Sequence, residues 1–236
     1  MPHVQSLPPP PVVRVNRHKL LKFFDEKPKS SLRHATAVVA VAGEELGVRL
    51  LKHYLESVKH SKVTVLDKRC SLGTRKGRRL DCWILVTRSH SKTLYQVEVK
   101  NSSAHAIGGK VLPVDASLKD HRAFMAYRWS CHWDAKRREF GDIGTDKVLL
   151  KMKPPKGYEQ YRVMPILCMW EAVHILGTVD KPLFCVRRDH KRGFKALWVF
   201  SMSAYLRSLT CSHIDIEMAS TVARLKWLKV LFNKAA

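Results

Sequence analysis

The sequence predicts an α/β fold, a mixed β-sheet flanked by helices. Three observations predict it. Residues 43–58 carry helical periodicity, residues 80–87 and 94–100 read as two strands around a short polar turn, and residues 162–232 supply further strands and closing helices. A chain of 236 residues with 45% hydrophobic composition suffices for one packed domain with appendages.

Residues 1–34 read as a flexible basic arm. Pro8, Pro9, Pro10 and Pro11 favour extended polyproline, a short helix fits residues 17–24, and residues 25–31 form a polar loop. Residues 35–236 then form a single domain whose core spans about 36–170.

The domain opens with a helix near 36–59. At about 100° per residue, Gly47, Val48, Leu51, Leu55 and Val58 make one apolar stripe, and Glu44 lies on it. Glu45, Arg49, Lys52 and Glu56 occupy the opposite face, so Glu45 reads as an ordinary solvated glutamate. Glu44 reads as a carboxylate aimed at the core side, where an unpaired charge is costly.

A strand follows at 62–67, then a glycine-containing basic loop at 68–79. Solvation is the default for such a loop. Its position beside Asp81 makes Arg75, Lys76, Arg78 and Arg79 candidate phosphate contacts. The strands at 80–87 and 94–100 flank the polar residues 88–92 and form a hairpin.

A helix is expected over 118–140, with Phe124, Tyr127 and Cys131 on one side. Trp129 and Trp133 could pack on the sheet or stack bases; Lys119 and Arg122 are further candidate phosphate contacts. A buried strand at 162–170 precedes strands at 183–187 and 195–200, the latter two around a basic turn at 187–193. Helices at 203–209 and about 216–232 close the chain; Met218, Val222, Leu225, Leu228 and Val230 supply the last one's apolar face.

The chemistry concentrates in Asp81, Glu98 and Lys100. Strand alternation puts Glu98 and Lys100 on one side. With the turn centred near His90, Asp81 falls opposite Val99, within one residue of Glu98. Directly opposite residues lie about 5 Å apart at Cβ. Two carboxylates that close repel unless a cation sits between them, which points to a divalent-metal site beside a lysine. The plainer alternative makes Glu98 and Lys100 part of a solvated edge strand and Asp81 a turn residue.

Composition points to a polyanionic partner. Lysine and arginine number 43 against 20 aspartates and glutamates, a formal net charge of +23. That is the electrostatic footprint of nucleic-acid binding, and alone it fits a ribosomal protein or an acidic-membrane binder equally well. The six cysteines form no CxxC pair, so a zinc ribbon is disfavoured and reduced thiols are expected. The apolar stretch at 163–170 is too short for a membrane span, and no secretory signal is visible. An intracellular protein, cytoplasmic or nucleoid-associated and without a membrane partner, is expected.

From residue 43 to about 109 the chain resembles the restriction-endonuclease-like superfamily, the PD-(D/E)xK nucleases. The order is a helix carrying a glutamate, a strand, a strand opening with Asp81, and a strand ending in Glu98-Val99-Lys100. Gly43-Glu44-Glu45-Leu46 resembles the resolvase-like branch, and Gly108-Gly109 would lie in a loop beside the site. Leu80 stands where the family's name implies proline.

The resemblance implies a restriction-endonuclease-like core and Mg²⁺-dependent hydrolysis of DNA, with Mn²⁺ as a substitute. Asp81, Glu98 and the Val99 carbonyl would hold metal, Glu44 would complete the ligand shell, and Lys100 would orient the attacking water. Asn101 would position a loop or a phosphate. Duplex or branched DNA is the expected partner, RNA stays open, and a homodimer is compatible with the family. A non-catalytic nucleic-acid-binding protein is the alternative.

Overall fold

Alternating apolar residues in two neighbouring strands build the centre of the molecule. The computed structural model describes residues 10–25, 39–66, 80–89, 91–100, 133–134, 139–140, 151–170, 182–187 and 193–231. In chain order these contain β1 (Val12–Asn16), α1 (Arg17–Asp25), α2 (Glu44–Ser57), β2 (Lys62–Val65), β3 (Cys82–Arg88) and β4 (Ser91–Lys100). They continue with β5 (Trp133–Asp134), β6 (Glu139–Phe140), β7 (Arg162–Met169), β8 (Leu183–Arg187) and β9 (Ala196–Ser201). Helix α3 (Met202–Ser208), β10 (His213–Glu217) and α4 (Ala219–Leu231) complete the set.

The main sheet is mixed and six-stranded, in the order β2-β3-β4-β7-β9-β8. β2, β3 and β4 form an antiparallel meander, β7 runs parallel to β4, β9 parallel to β7, and β8 antiparallel to β9. The strands expected at 62–67, 80–87, 94–100, 162–170, 183–187 and 195–200 are all present with small shifts of their ends.

The pleat sorts residues onto two faces. Cys82, Ile84, Val86, Val97, Val99, Ile166, Cys168 and Phe200 pack against Leu50, Leu51, Tyr54 and Leu55 of α2 and Met202, Tyr205 and Leu206 of α3. Full burial of each leucine stabilises the fold by about 1.5–3 kcal/mol. Tyr54, Phe200 and Tyr205 form an aromatic triad with centroids 5.2 to 5.8 Å apart. On the opposite face Trp83 and Leu94 pack with Leu66 and Leu80, covered in part by Met152, Tyr158 and Tyr161.

Helix α2 approaches β4 closely because Gly47 faces it: a Cβ there would lie 2.5 Å from Val99 Cγ1. A short π-helical turn, Val39–Gly43, leads into α2, so the α-helix begins later than the expected residue 36.

Four expectations are corrected. The free arm expected over 1–34 does not extend through residues 12–25. There β1 pairs antiparallel with β10, and Arg14 forms a two-point ion pair with Asp215 at 2.9 and 3.1 Å. The β-branched Val12, Val13 and Val15 make that segment a strand-former, and β10 supplies the partner that the sequence alone does not reveal.

The helix expected to reach residue 140 gives way to strand pairing, Trp133 opposite Phe140; residues 118–132 lie outside the described set. The closing helix starts at Ala219, after a separate strand at 213–217. Of its expected apolar face, Met218 is buried, while Leu225, Leu228 and Val230 are exposed.

The fourth correction concerns the polar face of α2, which is covered by the C-terminal segment. Glu45 accepts hydrogen bonds from the Ser220 and Thr221 backbone N–H groups and the Thr221 hydroxyl, capping the start of α4. Such a cap satisfies donors that every helix start leaves open. Arg49 and Lys52 both bind Glu217 of β10, at 2.9 and 3.1 Å.

His53 of α2 shares a hydrogen bond with the Tyr205 hydroxyl of α3. Burial holds His53 below the ordinary imidazole value, against a weaker upward pull from Glu56. Burial likewise pushes the Tyr205 hydroxyl upward, so the phenol stays protonated. Because the folded-state value of His53 is depressed, the unfolded chain takes up that proton first. The contribution is present above the unfolded value of about 6.5 and is lost as pH falls below it. Urea midpoints measured from pH 7.5 down to 5.5 are therefore expected to fall less steeply in His53→Gln than in wild type. Identical slopes would show that His53 contributes nothing to the acid loss.

Candidate functional site

The hairpin brings Asp81 and Glu98 together, with a register one residue from the expected one. Arg88 pairs with Ser91 and Cys82 with Val97. Continued by one residue, this register sets Asp81 opposite Glu98 rather than Val99. The slip matters because the strand period is two, and one residue exchanges the faces of every side chain.

Asp81 occupies the bend just before β3, half-buried, next to the buried Leu80. Its Oδ2 accepts the Val99 N–H at 2.6 Å. The carboxylate thus takes the place of a ladder carbonyl and holds β4 where β3 begins. In an extended strand the N–H and C=O of one residue point to the same side, so the Val99 carbonyl is directed toward the β3 edge.

Glu98 lies inside β4 between the buried Val97 and Val99, and is itself only 3% exposed. By alternation it shares the face of Gln96 and Leu94. Asp81, two residues before Trp83, belongs to that same face. A carboxylate so deeply placed needs hydrogen bonds or a cation to offset its desolvation.

The charge of Asp81 is felt on the neighbouring strand. Cys168, opposite Val99 in β7, is fully buried; burial raises its thiol well above the ordinary value, and the negative charge of Asp81 adds to the rise. The thiol is therefore neutral and no nucleophile. Cys82 is buried beside Asp81, and Cys82, Cys168, Cys185 and Cys211 are free thiols.

Lys100 ends β4, its backbone opposite Met169; its side chain lies outside the described residues. Arg75, Lys76, Arg78, Arg79, Asn101, Lys119 and Arg122 lie outside them as well, as do Gly108 and Gly109.

Glu44 is corrected. It is exposed at the first position of α2, and Glu45 is the glutamate that is engaged, at the start of α4. The apolar stripe stops short of Glu44: the buried face of α2 begins at Leu46 and Gly47. Among the described residues no three His, Cys, Asp or Glu gather into a metal-binding group, so the described acidic centre is the pair Asp81 and Glu98.

One polar residue of the site went unremarked in the sequence. Gln96 is fully buried, and its Oε1 accepts the Met152 N–H at 3.2 Å. The signal was there, a glutamine inside the apolar run 94–99, two residues before Glu98 on the same face.

Compared with models of known protein families, with curated proteins and with solved structures, the chain matches none. No helix among the described residues is long and apolar enough to cross a membrane.

Proposed function

We propose that this chain is a Mg²⁺-dependent nuclease that hydrolyses DNA phosphodiester bonds on a restriction-endonuclease-like core. The observation that carries the reading is the Asp81 carboxylate bound to the Val99 N–H, which sets it at the Glu98 end of the hairpin and on the same face as that buried glutamate. The helix–strand–strand–strand order of α2, β2, β3 and β4 agrees with the resemblance, as does a lysine directly after Val99.

The donor chemistry fits a hard divalent cation. The carboxylates of Asp81 and Glu98, with the Val99 carbonyl, offer the oxygen ligands that Mg²⁺ prefers, and Mn²⁺ accepts the same set. When bound, the ion polarises the scissile phosphate and acidifies water. Lys100 orients that water and stabilises the negative charge that develops on the phosphoryl oxygens. The water oxygen bonds to phosphorus, and the 3′ oxygen leaves and takes up a proton, giving a 5′-phosphate and a 3′-hydroxyl.

The charge of +23 draws the polyanion in, through phosphate contacts that carry no sequence information. This reading sets the protein among nucleic acids inside the cell, and two copies would serve to cut both strands of a duplex. The same charge also favours a second reading, a non-catalytic nucleic-acid-binding protein.

Cleavage separates the two. Supercoiled plasmid, linear duplex, single strand, four-way junction and RNA would be incubated with wild type and Lys100→Ala in Mg²⁺, Mn²⁺ or chelator. Metal-dependent cutting by wild type that disappears in Lys100→Ala is expected. Binding without cutting, equal in both proteins, would leave the non-catalytic reading standing.

A further inference from the structure

A basic surface borders the Glu98 face. Residues 151–161 cross that face: the Met152 N–H donates to Gln96, and Met152, Tyr158 and Tyr161 pack against the Trp83 and Leu94 cluster. The inward residues leave the lysines outside. Met152 and Pro154 are half-buried and Pro155 buried, whereas Lys151, Lys153 and Lys156 are exposed. Glu159 is the single acid of this segment.

Two of the cations lie over aromatic rings, with no acid at ion-pair distance among the described residues, while backbone hydrogen bonds, helped by Lys153, hold the Glu159 carboxyl below its ordinary value. Lys151 Nζ lies 5.7 Å from the Phe194 ring centroid, and Lys92 Nζ, from the start of β4, lies 5.8 Å from that of Tyr161. A ring face attracts an ammonium by about 0.5–1 kcal/mol at exposed sites without cancelling its charge. By contrast, Arg14, Arg49 and Lys52 are engaged by Asp215 and Glu217. Exposed cations that keep their charge are what a phosphate backbone requires.

We propose that Lys92, Lys151, Lys153 and Lys156 form a phosphate-binding rim that holds the nucleic-acid backbone on the Glu98 face, on the Ser91 side of the candidate site. The choice of nucleic acid rests on the nuclease reading; binding at the rim does not require cleavage. At roughly 3.3 Å per residue, Lys92 lies about 20 Å from Glu98 along β4. With one charge per roughly 3.4 Å of a strand, that length corresponds to about six phosphates. The substrate therefore has to extend about six nucleotides beyond the site on this side.

The test is fluorescence anisotropy of the full chain in chelator, with labelled single strands of increasing length and a labelled duplex. Lys151→Glu/Lys153→Glu/Lys156→Glu would be compared with Lys19→Glu/Lys226→Glu/Lys229→Glu, which changes net charge equally at exposed lysines of α1 and α4. The rim variant is expected to weaken binding about tenfold or more and to flatten the dependence of log affinity on log salt by up to about 0.9 per lost contact on duplex. The control variant is expected to lose far less, and wild-type affinity to drop for strands shorter than the rim. Equal losses in both triple variants would overturn the proposal, as would affinity independent of length. Rim-dependent binding with no metal-dependent cleavage would refute the nuclease reading and leave the rim standing. Cleavage by wild type with unchanged binding and KM in the rim variant would do the reverse.

Discussion

Asp81→Asn is expected to abolish metal-dependent cleavage while leaving the fold intact. The substitution is chosen for what it keeps. Asparagine retains a side-chain carbonyl oxygen able to accept the Val99 N–H that Asp81 Oδ2 now accepts at 2.6 Å. It removes only the charge, on which cation binding depends. Replacement of groups one step removed from a metal already costs roughly 10–100-fold in affinity or activity, so loss of a direct ligand is expected to exceed about 100-fold. Asp81→Ala confuses the two roles, since it also leaves the N–H of the buried Val99 without its acceptor, at about 1–3 kcal/mol. The decisive comparison is Mg²⁺-dependent plasmid cleavage beside urea unfolding for both variants. Wild-type cleavage by Asp81→Asn would mean that Asp81 serves only to fasten β4, and the nuclease site would fall with it.

What could be read from sequence follows the range of the interactions involved. The hairpin was legible because its strands are close in sequence and strongly patterned, and the buried strand at 162–169 because eight residues in a row avoid charge after Arg162. The register differs by one residue, since the position of a polar turn in the sequence does not separate a pairing of Arg88 with Ser91 from one shifted by a residue. Glu44 and Glu45 were exchanged for a different reason. Helical periodicity says which face is apolar, but not where the core ends or what else covers the polar face. The partner of that face, Glu217 with Ser220 and Thr221, lies some 170 residues away in sequence, and the strand that pairs with β1 lies about 200 away. Long-range pairing is invisible to local pattern, and the expected free arm and solvated helix face both failed there. Glu98 was legible as a charge in a strand; its burial was not, because burial depends on what crosses the sheet above it.

Gly47→Ala is expected to destabilise the protein although alanine is the better helix former. In an exposed helix interior the exchange would gain about 1 kcal/mol. Here the new methyl would sit 2.5 Å from Val99 Cγ1 and 3.4 Å from Met202 Sδ. Val99 has little room to yield: it is β-branched, stiff at χ1, and buried in the core that α2 shares with β4. Overpacking of this kind costs about 1–3 kcal/mol, so a net loss near 1 kcal/mol is expected. The strain falls on the residue whose N–H holds Asp81 and whose neighbour is Glu98, so cleavage should decline by more than the lost stability explains. Val99→Ala removes the opposing methyl. The double variant Gly47→Ala/Val99→Ala should therefore be more stable than the sum of its parts by about 1 kcal/mol, a coupling that thermal unfolding resolves. Additive losses would place α2 farther from β4 than Gly47 allows, and would detach the helix from the geometry of the site.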